Sequence, residues 1–215
     1  MFIISEIEDK IRVDPGDLGR PVLDAVTSVI EHLYIDKVLH DLGLVVTLYD
    51  ILSITGGFIY PSDGAAHYIV AFRLVLFRPF VGQILTGRLA KSDKEGLHVS
   101  LDFFDDILIP EHSLKEPHFF QEEESVWFWD FEGQQIYYEP EEQIRFRVKT
   151  VIFRKPPSVQ ELRNKSGEDD MSGTAAKPFT VMQIIGTADE DGSGMTSWWE
   201  ERDEMPATDA MQQQA

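Results

Sequence analysis

Three aspartates near the middle of the chain are the residues that most resemble a metal site. Asp102, Asp105 and Asp106 lie close together in LDFFDDILIP, and carboxylate oxygens are the ligands that Mg²⁺ prefers. The same run has the pattern of a strand that stops at Pro110, because proline cannot donate to a central ladder. Solvated carboxylates at a strand end explain the three aspartates better than a metal does. We therefore predict no metal ion here.

No other set of residues has the types and spacing of an active site. The six histidines show no metal-ligand spacing, and the chain has no cysteine for a thiolate nucleophile, a thiolate zinc site or a disulfide. Ser100 and Ser113 lack the surroundings of a nucleophile elbow. The glycine-rich residues 54–66 lack the lysine, the hydroxyl and the following helix of a phosphate-binding loop. The sequence predicts no catalytic residue, no cofactor and no enzyme.

Basic and aromatic residues at alternating positions suit single-stranded nucleic acid instead. Cations on one strand face can meet phosphates, and aromatic rings can stack on bases. The alternative is that the cations pair with nearby carboxylates and that the tryptophans pack in the core. The candidate RNA-binding residues are Arg88, Lys91 and Lys94 near a predicted hairpin, Arg145, Arg147 and Lys149 on one predicted strand, and Trp127 and Trp129 on another.

The composition opposes strong nucleic-acid binding. The net charge is -19, whereas such binding depends on lysine and arginine displacing counterions from phosphates. Residues 156–215 hold 12 acidic and 4 basic residues, so this part alone contributes -8. No apolar run approaches the roughly 20 residues of a membrane-spanning helix, and no basic segment precedes the first apolar residues. We expect a soluble protein that stays inside the cell.

The periodicity of the first part predicts a sheet crossed by one helix. A strand is expected over residues 2–7, a helix from Pro21, a strand from residue 44, a loop over residues 54–66 and a strand over residues 67–77. The helix carries one apolar stripe, which should be buried on the sheet. The stripe consists of Val22, Ala25, Val26, Val29, Ile30 and Leu33. We assign residues 1–80 to this first domain.

Short strands dominate the rest of the chain, which predicts a small antiparallel barrel. A hairpin is expected over residues 81–101, with its turn at residues 91–96. Further strands are expected over residues 103–109, 126–131, 135–138, 144–153 and 179–186, and residues 111–124 are expected to form an irregular connection. The barrel domain covers residues 81–187 with a flexible insertion at about 155–178. An acidic tail, ordered as far as Trp199, covers residues 188–215.

The chain resembles a known family. The run FRPFVGQILTGRLAKSDKEGLHVSLDFFDDILIPEHSL is similar to the OB-fold of the larger stalk subunit of multisubunit RNA polymerases. The strand from Met1, the single helix and the glycine-rich loop with Ser62-Asp63-Gly64 occur in the same order as in that family. The motifs FFDDILIP at 103–110, VWFW at 126–129 and SWW at 197–199 resemble the RNA polymerase III version most closely.

The resemblance implies a fold and a set of partners. The fold is an α+β, ribonucleoprotein-like N-terminal domain followed by an all-β OB-fold barrel. The implied function is a nuclear, non-catalytic subunit that pairs with a smaller helical stalk subunit and docks on the RNA polymerase III core. It would also contact initiation factors and lie near nascent single-stranded RNA. The candidate docking residues are Phe2, Ile4, Phe58, Tyr60, Pro61, Asp63 and Gly64.

The alternative is a free-standing OB-fold protein that binds single-stranded RNA and acts in RNA processing or translation. The N-terminal domain distinguishes the two hypotheses. A free RNA-binding protein has no need of the apolar residues 2–4 or of the apolar loop around Phe58 and Tyr60, which stay exposed without a partner.

Overall fold

The computed structural model describes residues 1–155 and 180–199. The described residues form two compact units. One contains residues 1–84 and 106–108 with the described part of 147–186, and the other contains residues 85–105, 109–146 and 187–199. The predicted insertion after Lys155 and the tail after Trp199 lie outside the described residues.

A four-stranded antiparallel sheet and one helix form the N-terminal region, as the sequence predicts. The sheet order is β1-β4-β3-β2, and ten buried residues from α1, β1, β3 and β4 make the core between helix and sheet. The first strand is longer than predicted because Ile7 and Ile11 continue the alternation that Ile3 begins. The elements are β1 (Phe2–Val13), α1 (Val22–Tyr34), β2 (Val38–Leu39), β3 (Gly43–Ile59) and β4 (Ala66–Phe77).

The helix buries only the middle of its apolar stripe. Ala25, Val26 and Ile30 are buried in the core, whereas Val22 and Leu33 at the two ends of the stripe are exposed. The prediction that the whole stripe is buried is therefore wrong at its ends. Pro21 occupies the N-cap position with an extended ψ of 134°, a position at which its missing N–H costs nothing.

The third strand is irregular along its length. Leu44 pairs with Phe77 and Ile59 pairs with Ala66, so 16 residues of β3 face 12 residues of β4, and the register shifts at four places. Each shift is typical of a β-bulge, which inserts an extra residue into one strand. The predicted loop over residues 54–66 is wrong for residues 54–59, which belong to β3. Gly56 and Gly57 have φ of 96° and 92°, so glycine supplies the predicted special angles inside the strand.

The remaining strands form a closed barrel and a smaller sheet. The larger sheet has the order β12-β7-β6-β5-β11-β13, and an additional β12–β11 pairing closes five strands into a barrel. This closure confirms the predicted OB-fold class. The smaller sheet has the order β10-β9-β8. The strands are β5 (Ile84–Asp93), β6 (Gly96–Ser100), β7 (Ile107–Pro110), β8 (His118–Gln121), β9 (Val126–Phe131), β10 (Gln134–Tyr137), β11 (Gln143–Phe153), β12 (Met182–Thr187) and β13 (Gly194–Met195).

Several predictions for this region need correction. The strand predicted over residues 103–109 is shorter, β7, although it ends at Pro110 as expected. The predicted irregular connection over residues 111–124 contains β8, because His118–Gln121 pairs with β9. The barrel is not wholly antiparallel, since β12 and β7 are parallel with Ile184 opposite Ile107. Across the described ranges, no helix has both the length and the apolar character of a transmembrane span.

Candidate functional site

The basic residues of the β5–β6 hairpin all lie beside carboxylates. The cation of each pair is exposed, so each pair contributes little to stability. A carboxylate nevertheless already neutralises the charge that a phosphate would need. This arrangement agrees with the alternative that these residues pair with carboxylates. The pairs are Arg88 with Glu141 at 2.9 Å, Lys91 with Asp93 at 3.5 Å and Lys94 with Glu122 at 2.6 Å.

The basic face predicted on residues 144–153 is present on β11. Ile144, Phe146 and Val148 are buried, and the residues between them point the other way. Arg145 and Lys149 are exposed, while Arg147 is partly buried. The Nη1 of Arg147 donates to the carbonyl of Gly82 at 3.1 Å.

Trp127 does not have the exposure that base stacking requires. Its side chain is buried, and its indole N–H donates to the carbonyl of Asp93 at 2.8 Å. The interpretation of Trp127 as a stacking residue is wrong, because a buried indole has no free face. Trp129 is partly exposed, and its ring lies 4.9 Å from the ring of Phe131 and 5.1 Å from the Nζ of Lys115. It packs within its own unit.

Three other aromatic residues form a row that the sequence interpretation missed. Phe119, Phe128 and Tyr137 lie opposite one another on β8, β9 and β10. The Phe119 and Phe128 ring centroids are 5.5 Å apart, and those of Phe128 and Tyr137 are 5.6 Å apart. Alternation along β9 places Phe128 on the face opposite Trp127. The alternation of Trp127, Phe128 and Trp129 in the sequence places Phe128 on a different face from the two tryptophans. Only the cross-strand register shows which of the two faces is buried.

The three aspartates make hydrogen bonds or ion pairs to other side chains and do not converge. The Oδ1 of Asp105 accepts a bond from the Ser100 hydroxyl at 2.5 Å, and the Oδ1 of Asp106 accepts one from the Thr180 hydroxyl at 3.0 Å. Asp102 lies 3.9 Å from Arg88. Within residues 1–155 and 180–199, no group of three or more histidine and acidic side chains could hold a metal ion.

The candidate docking residues lie on the N-terminal sheet and on the β3–β4 loop. Phe2 and Ile4 are exposed on β1, on the face opposite Ile3. Phe58 is 70% exposed and Tyr60 is also exposed. Pro61 is exposed as well. The apolar residues of this predicted set are therefore exposed in the described part of the chain.

Asp63 and Gly64 have a structural role in this loop. Both backbone N–H groups donate to the carbonyl of Tyr60 at 3.1 Å, and Gly64 has a φ of 70°. The Asp63 carboxylate accepts bonds from Arg12 and lies 2.9 Å from the Nε2 of His67. The hydrogen bonds from Arg12, followed by that from His67, lower the pKa of Asp63 to about 2. Asp63 thus ties the loop to β1 and β4.

Comparison with known proteins identifies the family. Residues 83–199 match the family model described as RNA polymerase III subunit Rpc25. Residues 8–64 match the SHS2 domain found in the N terminus of Rpb7p, Rpc25p and MJ0397, which agrees with the one-helix sheet of the N-terminal region.

The RNA polymerase III relatives cover nearly the whole chain, and an archaeal relative covers half of it. DNA-directed RNA polymerase III subunit RPC8 of Saccharomyces cerevisiae is 35% identical in an alignment 213 residues long, which covers 93% of this chain and 100% of the yeast protein. The Bos taurus RPC8 is 36% identical over 205 residues, covering 93% and 98% of the two chains. The Saccharolobus solfataricus subunit Rpo7 is 25% identical over 108 residues, covering 50% of this chain and 60% of the archaeal protein. The chain belongs to the RNA polymerase III subunit Rpc25 family, within the wider group of Rpb7 and Rpo7 stalk proteins.

Proposed function

We propose that this chain is the larger, non-catalytic subunit of a nuclear RNA polymerase III stalk. It pairs with a smaller helical subunit, docks on the polymerase core, contacts initiation factors and weakly guides nascent RNA. The observation that carries the proposal is the exposed apolar surface of the N-terminal unit. Family membership supports the assignment, because the full-length relatives are named as RNA polymerase III subunits.

Helix α1 covers one face of the N-terminal sheet, and the other face carries exposed apolar side chains at one end. Helix α1 contacts β1 and β3 and packs on the face that bears Ile11 and Phe72. On the other face, Phe2 lies opposite Phe77 and Ile4 lies opposite Val75. Phe2 and Ile4 are about half exposed, and exposed apolar side chains of this kind mark protein interaction sites in folded proteins.

The bulges of β3 add to this exposed surface. Val46, Tyr49 and Leu52 each occupy a register shift, and all three are exposed. The Tyr49 ring lies 4.9 Å from the guanidinium carbon of Arg73. Each of these three bulges interrupts the β3–β4 ladder and leaves its extra apolar side chain exposed, so a partner would bind here through side-chain packing.

We assign the roles to domains as follows. Residues 1–80 carry the docking function and residues 81–187 form the OB-fold domain, whose β11 face with Arg145, Arg147 and Lys149 is the candidate RNA contact. We assign the residues at about 155–178 to an insertion in the OB-fold domain and residues 188–215 to a C-terminal tail. The carboxylate partners of the hairpin cations support weak rather than strong RNA binding.

The proposal is tested by purifying tagged chain from cells. The unchanged chain should bring down RNA polymerase III subunits, including a small helical one. The double substitution Phe2→Ser and Ile4→Ser, and separately Phe58→Ser, should reduce that recovery about tenfold or more, because exposed apolar anchors dominate interfaces. Leu23→Ser is the matched control, since Leu23 is exposed on α1 and should leave recovery unchanged.

Two results would contradict the proposal. Recovery of the chain without any polymerase subunit would favour the free-standing RNA-binding protein, for which the basic face of β11 is the supporting feature. Equal loss of recovery in Leu23→Ser and in the other variants would show that the substitutions act through folding and not through a docking surface.

A further inference from the structure

One face of the sheet formed by β8, β9 and β10 carries an aromatic row made of Phe119, Phe128 and Tyr137. Each strand supplies one ring, and neighbouring rings are in contact. Phe119 is 51% exposed, and the other two rings are partly exposed. The row is therefore open to a partner along all three strands.

The other face of the same sheet does the packing. Phe120 and His118 contact Trp127 with ring centroids 5.0 Å and 5.4 Å away, and Trp127 is buried. One face of the sheet thus already supplies the packing, so the aromatic row on the other face does not contribute to the core. An aromatic row left exposed on a sheet that is anchored elsewhere is typical of a binding surface.

The charge around the aromatic row identifies the kind of partner. Residues 116–142, which contain all three strands, include no lysine or arginine, and Asp130 lies two residues from Phe128 on the same face of β9. Repulsion between these carboxylates and phosphates opposes RNA as the partner. Of the nine acidic residues of this segment, Glu122 and Glu141 pair with Lys94 and Arg88. The other seven are Glu116, Glu123, Glu124, Asp130, Glu132, Glu139 and Glu142.

We propose that the aromatic row is a docking surface for a protein segment that carries arginine or lysine. The rings bind the cation and its aliphatic stem, and the surrounding carboxylates attract and orient the positive charge. The same chemistry occurs within this unit, where the Nζ of Lys115 lies 5.1 Å from the Trp129 ring, 5.3 Å from the Trp199 ring and 3.6 Å from Asp191. The proposal goes beyond the stalk role, because it names a surface and a partner chemistry that docking of the N-terminal domain does not require.

Photocrosslinking in cells tests the proposal with the full chain. The photoreactive residue p-benzoylphenylalanine replaces Phe119 in one variant. In the control variant it replaces Phe131, which is 46% exposed on β9 and points to the opposite face. Crosslinked products are digested and the attached peptides are sequenced by mass spectrometry. Recovery of polymerase subunits with each variant is measured in parallel, so that failure of the stalk role is seen separately.

The expected result is a polypeptide crosslinked at position 119 through a segment with arginine or lysine. Glu123→Lys with Glu124→Lys should reduce its yield about tenfold, a size that electrostatic attraction supplies. These two glutamates are exposed in the β8–β9 turn, so their reversal tests charge without disturbing packing. RNA attached at position 119, no product there, the same product from position 131, or a yield unaffected by charge reversal would each overturn the proposal.

Discussion

The guanidinium of Arg12 binds the carboxylate of Asp63 through two nitrogens, with Nε–Oδ2 at 3.0 Å and Nη2–Oδ1 at 2.7 Å. The two residues are 51 positions apart, and their pairing joins β1 to the loop that follows β3. The same guanidinium also donates to Asp14. Its hydrogen bonds to Asp63 and to Asp14 raise the pKa of Arg12. Tyr60 begins this loop and accepts the backbone hydrogen bonds of Asp63 and Gly64, so the Arg12–Asp63 pair helps to hold the loop that presents Tyr60.

The titration of Asp63 is the first prediction. Its pKa in the folded chain is about 2, below the ordinary value of 3.8. A carboxyl with a lowered pKa stabilises the fold at every pH above its unfolded value, and this contribution is lost as pH falls from about 4 towards 2. The side-chain carboxyl signal of Asp63 in NMR should therefore titrate near pH 2. A midpoint near 4 would show that the pair does not form in solution.

The loop should loosen when this carboxylate is neutralised. Asp63→Asn keeps the shape of the side chain but removes the charge that Arg12 binds. Hydrogen exchange of the Gly64 amide, which donates to the Tyr60 carbonyl, should become faster in this variant. Asp17→Asn is the control, because Asp17 pairs with Arg20 and not with Arg12. Unchanged exchange at Gly64 would show that the backbone holds the loop unaided.

The burial of one face of helix α1 gives a third prediction. Ile30 is fully buried on α1, whereas Leu23 is 56% exposed on the same helix. Ile30→Ala should lower the free energy of unfolding by about 2–5 kcal/mol, because it removes buried methyl groups and leaves a cavity. Leu23→Ala should change it by less than about 0.5 kcal/mol. Urea unfolding followed by circular dichroism measures both, and equal midpoints would contradict the packing of α1.

Two glycines with positive φ should differ in their tolerance of a side chain. Gly96, in the β5–β6 hairpin, has a φ of 141°, and a Cβ there would lie 2.0 Å from the carbonyl oxygen of Ile109. Gly133 has a φ of 85° and no atom within 4 Å of such a Cβ. Gly133→Ala should lower the free energy of unfolding by about 1–2 kcal/mol, because alanine is strained in the left-handed backbone conformation. Gly96→Ala should cost at least about 3 kcal/mol, since overpacking is added. Thermal unfolding distinguishes the two, and equal losses would place Gly96 away from β7.

The basic face of β11 makes a prediction about RNA. Changing Arg145, Arg147 and Lys149 together to alanine should reduce the slope of log affinity against log salt by about 2 for a single-stranded oligonucleotide, if all three cations meet phosphates. The matched control changes Lys10, Arg20 and Lys37 to alanine, which alters the net charge equally at another site. Fluorescence anisotropy at several salt concentrations gives the slopes. The same slope in both triple variants would exclude this face as the contact.

The predictions from sequence were most accurate where a pattern is local. The stripe on α1, the alternation of β11 and the stop at Pro110 depend on neighbours a few residues away, and all three are present, although the ends of the stripe are exposed. The prediction of a loop at residues 54–59 was wrong because glycine signals both loops and bulged strands. The short run His118–Gln121 was missed because its pairing with β9 involves residues that come later in the chain.

The sequence by itself determined the class of each domain, the absence of cysteine chemistry and the position of the basic strand, because composition and periodicity are properties of the chain. Only the tertiary structure decided that Trp127 is buried and that Phe119, Phe128 and Tyr137 lie in a row. Likewise, only the fold brings the carboxylate of Asp63 into contact with the guanidinium of Arg12. Alternation along a strand separates its residues into two faces, but which face is covered depends on strands and loops brought together from distant parts of the sequence.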